Sequence, residues 1–494
     1  MPILKKCGES SEMITMNLRY FAIYLLIILF SGCAGWRSFQ EVETPPMPDQ
    51  FQHSETVDRF VDEPWWQSFS DDNLNSLMEE VFESNLSLEQ AFARFDRLHA
   101  GYKAANASWF PTFNLSATYQ DNGFVGDPPP QVGTMSPDNY DVRLSTRYEV
   151  DFWGKLSANR SAAKEDLLAG QADLRAFLIS LSAQSVRMYY SLLETSLQIN
   201  LLEKTISSYD GYYQLIRGRY ERGIVSSLEV YQAESTLAGT KSRKAQLEIR
   251  QANIQHGIDV LLGRYPRSKG QISLPEQMPV FKQELSPGIP SEVLKRRPDV
   301  LSVYHRMRAA DKRNAEAVAG LFPSFSLTGG IGGSDNQLKD ALDPEGMVWN
   351  ALANLTAPIF QGGRLQANVD QSEAAFVEQI ARYKETILNA LREVEDALVR
   401  VNKQQRYVGD LEQQVYSAEQ SLNAATDSYF RGLIDYAQVV LIQTTYFNAA
   451  SNLISAKRGL IDSRIDLVTA LGGDWTKEFI NSISDKKTED ASSK

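Results

Sequence analysis

The sequence predicts a mainly helical fold with a β-barrel part, in which one strand-and-long-helix module occurs twice. Three observations carry this expectation: an internal repeat with kept spacings, short runs of alternating polarity, and long proline-free stretches with apolar residues three or four apart.

The repeat is read from paired motifs. Phe110-Pro111-Thr112-Phe113-Asn114-Leu115-Ser116 matches Phe322-Pro323-Ser324-Phe325-Ser326-Leu327-Thr328, and Gly154-Lys155-Leu156 matches Gly363-Arg364-Leu365. Tyr220-Glu221-Arg222-Gly223 matches Tyr429-Phe430-Arg431-Gly432, and Leu262-Gly263 matches Leu471-Gly472. Gly154 to Gly223 and Gly363 to Gly432 are both 69 residues, and Gly223 to Gly263 and Gly432 to Gly472 are both 40. From Pro111 to Gly154 is 43 residues against 40 from Pro323 to Gly363, so the length difference sits in one loop-bearing segment. A kept length with drifting residues marks rigid helices. The modules are set at 70–265 and 291–475, joined by a Pro-rich linker at 266–290.

Residues 1–32 read as a targeting signal: Lys5, Lys6 and Arg19 precede the uncharged run Tyr20 to Phe30, and Ser31-Gly32-Cys33 follows. Small residues directly before a cysteine resemble the bacterial lipobox, which makes Cys33 the expected lipidation site; an ordinary secretory signal with a chance cysteine is the other reading. Residues 33–69 are then a lipid-anchored tether. Met16 could equally be the start, since Met16 to Cys33 is already a complete signal. Cys7 lies in the removed segment, so the mature chain forms no internal disulfide.

Each module opens with a helix, Leu86 to Ala107 or Val300 to Val318, that stops before Phe-Pro. Strands follow. Phe113, Leu115, Ala117 and Tyr119 alternate with Asn114, Ser116, Thr118 and Gln120. Val142, Leu144, Tyr148, Val150 and Phe152 alternate with Arg143, Ser145, Arg147, Glu149 and Asp151. One face is apolar and the other charged, as in a soluble sheet with a solvated face or in a barrel with lipid outside and water inside. The signal in front favours the barrel, and places Arg143, Arg147, Glu149 and Asp151 in its lumen. The loops, Asp121 to Tyr140 and Gly333 to Gly346, would face the exterior.

No proline occurs between Pro137 and Pro266 or after Pro358. Sixty-odd helical residues span on the order of 100 Å. Phe376, Ile380, Tyr383, Ile387, Leu391, Val394, Leu398 and Val401 recur at coiled-coil spacing, as do Val439, Ile442, Tyr446, Ala449, Leu453, Ala456 and Leu460. Gly223 and Gly432 break these helices at equal depth and mark the tips of two hairpins. Four strands are too few to close a barrel, which needs about eight, so copies must associate. The tail 476–494 is polar and expected to be disordered.

Composition excludes several classes. A mean hydropathy of -0.32 excludes a bundle of membrane-spanning helices. A net charge of -12 argues against nucleic acid. His53, His99, His256 and His305 form no metal-ligand pair at helical spacing, and neither a Walker motif nor a nucleophile motif occurs. No enzyme activity and no cofactor beyond the lipid on Cys33 are expected.

Several motifs in order resemble the outer membrane efflux protein family, the TolC/OprM-like outer membrane factors, and within it the efflux-pump lipoproteins. They are Pro64-Trp65-Trp66 with Phe69, Asp71 and Leu74; Arg296-Arg297-Pro298-Asp299-Val300; Phe322-Pro323; Ala357-Pro358-Ile359-Phe360 with Gly362-Gly363-Arg364-Leu365; and the two tip motifs. The resemblance covers almost the whole mature chain. It implies a homotrimer in the outer membrane whose twelve-stranded β-barrel continues into a long α-helical periplasmic barrel. It also implies a periplasmic adaptor (membrane fusion protein) and an inner-membrane RND-type pump as partners, and a passive exit duct for drugs or other small molecules.

By position, Tyr220, Arg222, Gly223, Tyr429, Arg431 and Gly432 become adaptor contacts. Family members often place aspartates after the second tip glycine as an acidic constriction. Here Gln438 and Leu441 hold the matching positions, with Asp435 and Glu229 nearby, so all four are pore-entrance candidates and the acidic gate itself is not carried over. A duct for type I protein secretion and a non-conducting coiled-coil scaffold are the alternatives.

Overall fold

The computed structural model describes residues 45, 50–52, 64–121, 138–266, 272–279, 290–472, 475–476 and 479–480. Cys33, the signal segment, most of the expected tether, the centre of the first strand loop and the chain after residue 480 lie outside the described residues.

In chain order the elements are a 3-10 turn (Trp65–Phe69), α1 (Asp72–Ser84), α2 (Leu86–Ala107), β1 (Thr112–Asp121), β2 (Asp138–Val150), α3 (Lys155–Glu221) and α4 (Ser227–Leu261). The second half runs α5 (Pro290–Arg296), α6 (Pro298–Ala319), β3 (Ser324–Asp335), α7 (Leu338–Ala341), a 3-10 turn (Pro344–Gly346), β4 (Val348–Thr356), α8 (Arg364–Phe430) and α9 (Tyr436–Leu471). The repeat is exact in its longest member, because α3 and α8 both have 67 residues. Gly409 lies inside α8 without interrupting it. The loop expected from Gly333 is shorter at its start, because β3 stays paired with β2 as far as Asp335.

The described chain divides into two compact units that are not the two repeats. One gathers residues 100–166 and 306–380 and contains the sheet. Its four strands are antiparallel in the order β1-β2-β3-β4. Each module supplies a hairpin, and β2 and β3 join them, with Arg147 opposite Thr328. Just past β2, Trp153 donates from Nε1 to the Pro323 carbonyl at 2.7 Å and stacks on Phe322 at 4.8 Å between ring centroids. The Phe-Pro motif of the second module is therefore a seat for the first.

The other unit gathers residues 45–99, 167–305 and 381–494, of which those after 480 are not described. Its core begins with Trp65, Trp66 and Phe69, which are buried at the end of the expected tether. Trp66 meets Trp475 edge-on at 4.9 Å, and Phe82 meets Phe479 at 4.6 Å. The expected disordered tail is thus corrected at its start: Thr476 and Ile480 are buried, and Arg175 Nε donates to the Thr476 hydroxyl at 3.1 Å. The physical reason is the apolar set Trp475, Phe479 and Ile480, which joins the core that holds Trp66 and Phe82. Asp71 caps α1 through the amides of Asn73 and Leu74, and the Tyr189 hydroxyl donates to its second oxygen at 3.0 Å.

Arg297 accounts for the Arg-Arg-Pro-Asp-Val segment. Its buried guanidinium donates to Asp299 at 2.7 and 3.1 Å, to Glu393 at 2.6 Å and to the Ala470 carbonyl at 2.8 Å. It thereby ties the start of α6, the flank of α8 and the last turn of α9. Burial opposes this charge most strongly, but Asp299 and Glu393 outweigh it and hold the guanidinium above its ordinary pKa. Helix α6 begins two residues before the expected Val300, because Pro298 lacks only an N–H that a first-turn residue would leave unpaired. Along the predicted seams, Ile387, Val394, Leu398, Val439, Ala449 and Ala456 are buried.

Candidate functional site

Two groups of residues make up the candidate site. The first is the sheet. Its register aligns Leu115, Leu144, Ile331 and Trp349 in one row across all four strands, and Phe113, Tyr119, Leu327 and Leu355 share that face. These apolar side chains are exposed, Leu115 and Trp349 each by 74%. No helix among the described residues is long and apolar enough to cross a membrane. The opposite face carries Asn114, Ser116, Arg143, Ser145, Arg147, Ser326, Thr328 and Asn350.

The structure places three of the four expected lumen residues on that polar face. Arg143 lies opposite Ser116 and Gly332, Arg147 opposite Thr112 and Thr328, and Glu149 opposite Ser326 with Lys155 at 3.2 Å. Arg143 donates to the Asn350 side chain at 3.3 Å, across β3. Glycine makes this possible: a Cβ on Gly332 would stand 2.4 Å from the Val142 carbonyl oxygen and 2.8 Å from Arg143 Cα. Asp151 is placed differently. It follows the end of β2, and its carboxylate accepts from the amides of Leu156 and Ser157 at 2.9 and 2.8 Å. Alternation put it on the strand, but the amides at the start of α3 need acceptors and Asp151 supplies them.

The second group is the pair of turns that close the helical hairpins. Gly223 and Gly432 have φ of 73° and 75°, the left-handed region that Gly enters without strain. The bonds are the same in both: the Gly223 amide donates to the Tyr220 carbonyl and that of Ile224 to Arg219, while the Gly432 amide donates to Tyr429 and that of Leu433 to Ser428. Arg222 and Arg431 are exposed beside them. The acidic entrance candidates prove to be local capping groups. Glu229 accepts from the Ser226 amide at 3.4 Å, and Asp435 accepts from the Gln438 amide at 2.9 Å, each at the start of its return helix. Leu441 is exposed by 68%.

Behind the turns lies a cluster of which sequence reading singled out only Tyr429, as an adaptor contact, and Val439, as a seam residue. Ile216, Ala233, Tyr429, Tyr436 and Val439 are buried together, with Tyr212 and Val230 against them. Arg219 donates to the Tyr429 hydroxyl at 3.1 Å and stands 5.2 Å over its ring. Burial above all raises the pKa of the Tyr429 hydroxyl; Arg219 acts in the opposite direction and Glu229 adds to the rise. The available signal was the density of tyrosines before each tip glycine and just after the second.

Comparison with known proteins decides the family. The pattern described as "Outer membrane efflux protein" matches residues 77–264 and 289–473, which are the two repeats. The chain belongs to the outer membrane efflux protein family. It is an outer-membrane component of an efflux system, a family of ducts rather than of enzymes. It is similar to the probable outer membrane lipoprotein SilC of Salmonella typhimurium, with 27% identity over 478 residues covering 93% of this chain and 100% of that one. It is also similar to the outer membrane protein OprJ of Pseudomonas aeruginosa, with 28% identity over 455 residues covering 91% and 95%. Its fold is that of the Campylobacter jejuni CmeC outer membrane channel, with a TM-score of 0.82, 22% identity and coverage of 90% and 97%. The TolC-like fold that the resemblance implied is therefore the fold of this outer membrane efflux protein.

Proposed function

We propose that this outer membrane efflux protein is the homotrimeric exit duct of a tripartite pump, opened at its helical turns by a periplasmic adaptor and fed by an inner-membrane RND-type pump. One observation supports it above the others: a four-stranded sheet, unpaired at β1 and β4, with an apolar face on one side and a polar face on the other. Four strands leave the backbone of both edges without partners, which lipid does not tolerate. Three copies supply the strands of one closed barrel, with Arg143, Arg147 and Glu149 turned to water.

Cys33 carries the lipid, and the tips around Tyr220 to Gly223 and Tyr429 to Gly432 receive the adaptor. Glu229, Asp435, Gln438 and Leu441 border the entrance, with both carboxylates also serving as helix caps. Transport needs no catalytic residue and no cofactor, since a passive duct takes its energy from the pump. Planar-bilayer recording of the purified trimer tests the reading. Discrete conductance steps are expected; a trimer that binds adaptor but stays silent, even with the adaptor and after tip mutations, would instead identify a non-conducting scaffold.

A further inference from the structure

Helix α9 starts at Tyr436 and runs back along α3, and side-chain hydrogen bonds cross between the two. Away from the turn the crossing groups are matched. The Ser451 hydroxyl donates to the Gln198 side-chain oxygen at 2.9 Å, and the Gln198 side-chain nitrogen donates to the Ser451 carbonyl at 2.9 Å. The Ser455 hydroxyl donates to Glu194 at 2.8 Å, and Arg458 donates to the Arg187 carbonyl at 2.8 Å. Toward the turn the matching thins out. The Gln443 side-chain nitrogen donates to the Ser208 hydroxyl at 2.7 Å, but its side-chain oxygen is buried with no hydrogen-bond partner among the described residues. Seven residues nearer the turn, and so on the same stripe of α9, the Tyr436 hydroxyl is buried and also has no partner among them.

The tyrosines packed around Tyr436 do not share this state. The Tyr209 hydroxyl lies 3.4 Å from the Thr444 hydroxyl, that of Tyr212 lies 3.4 Å from Thr426, and that of Tyr429 accepts from Arg219 at 3.1 Å. The Tyr436 ring meets those of Tyr212 and Tyr429 at 5.9 and 6.3 Å between centroids, inside the cluster that also holds Ile216 and Ala233 of the first hairpin. Tyr436 is only 3% exposed and Gln443 only 2%. Burial above all raises the pKa of the Tyr436 hydroxyl, which therefore stays a neutral O–H with nothing to donate to. A buried polar group without a partner destabilises the arrangement that buries it, and water removes the penalty on exposure. Here that arrangement is the seating of α9 against α3.

We infer that the Tyr436 hydroxyl and the Gln443 side-chain oxygen set how readily the second hairpin parts from the first, because both lack partners while α9 is seated on α3 and gain water when it lifts. The parting starts at the turn and stops near Ser451, where the crossing hydrogen bonds become matched. This rests on the duct reading in one respect, that parting of the hairpins opens the entrance. It separates two tyrosines of one cluster by sign. Losing the hydroxyl of Tyr429 removes a bond that holds the hairpins together, whereas losing that of Tyr436 removes a penalty on keeping them together.

Tyr436→Phe, which keeps the ring and its packing, tests this in the full-length protein. In planar bilayers its resting conductance is expected to fall several-fold, to about a tenth of the parent's, while that of Tyr429→Phe rises. Adding Ser208→Ala and Gln443→Met, which remove both ends of the half-matched pair, is expected to lower it further. Amide hydrogen exchange reads the same parting without conduction: residues 436–446 are expected to exchange several-fold more slowly in Tyr436→Phe, with residues 451–458 unchanged. Unchanged or faster exchange at 436–446 would overturn the inference whatever the conductance does, and equal slowing as far as 458 would overturn the stop at Ser451. A conducting parent with a Tyr436→Phe variant that conducts as well or better would overturn the role at the entrance and leave the duct reading standing. A parent that stays silent even with the adaptor, while exchange slows as expected, would sink the duct reading and leave the weakened seam.

Discussion

Arg219 near the end of α3 donates to the hydroxyl of Tyr429 near the end of α8, at 3.1 Å, with its guanidinium 5.2 Å over the same ring. One side chain thus links the ends of the two helical hairpins by a hydrogen bond and by a cation–π contact. If the proposed duct opens by parting its hairpins, this contact has to hold in the closed state and release in the open one. Arg219→Ala is expected to raise the resting conductance of the purified duct several-fold, while Tyr429→Phe, which keeps the ring, loses about 1 kcal/mol and has the smaller effect. Equal conductance of both variants and the parent would remove the pair from the gate.

The tip glycines make a matched prediction. Nothing lies within 4 Å of a Cβ placed on either Gly223 or Gly432, so the cost of alanine there is backbone strain alone. Gly223→Ala and Gly432→Ala should each destabilise their turn by about 1 kcal/mol, and by the same amount because both share one bonding pattern. Amide hydrogen exchange of the turns measures this.

Protonation of the tip follows from Tyr429. Its pKa is raised by burial, so the neutral form is favoured in the folded state. Its contribution is fully present below the unfolded tyrosine value of about 10 and is lost as pH rises through the folded value. Titration followed by tyrosinate absorbance should show Tyr429 ionising later in the parent than in a urea-unfolded sample. Coincident curves would contradict the buried cluster.

Arg297 is buried with four hydrogen bonds, and its partners Asp299 and Glu393 are a little under half exposed. Removing the guanidinium strands the Ala470 carbonyl more than the carboxylates, which water can reach. Arg297→Ala should therefore cost about 2–3 kcal/mol and Arg297→Lys somewhat less, because an ammonium cannot reproduce the fork. Thermal unfolding of the purified protein checks the order, and a lysine variant as stable as the parent would argue against the planar geometry.

On the sheet, Gly332→Ala should disrupt assembly far more than Gly330→Ala. At Gly332 the new methyl meets backbone atoms at 2.4 and 2.8 Å, whereas at Gly330 the nearest atom is the Asn350 side-chain oxygen at 3.1 Å, which can move. The yield of heat-stable trimer in outer-membrane fractions separates them.

The sequence by itself determined the duplication, the strand count and the turn positions, because these follow from spacing and local chemistry. Helices of kept length, alternation of period two and glycines that must adopt positive φ are all written along the chain. Alternation also sorted Arg143, Arg147 and Glu149 onto one face. It failed at Asp151, where the need to cap α3 ended the strand's claim one residue early. Glu229 and Asp435, entrance candidates by position, also accept from backbone amides at the starts of their helices, which position alone did not announce.

Only tertiary structure decided the rest. Arg219 and Tyr429 are 210 residues apart, and no local pattern announces that they meet. The role of Arg297 and the burial of Trp475, Thr476 and Ile480 likewise depend on distant parts of the chain brought together by packing. The lane of glycines that lets Arg143 reach Asn350 exists only once β2, β3 and β4 lie side by side, because strand register is a property of neighbours rather than of any strand alone.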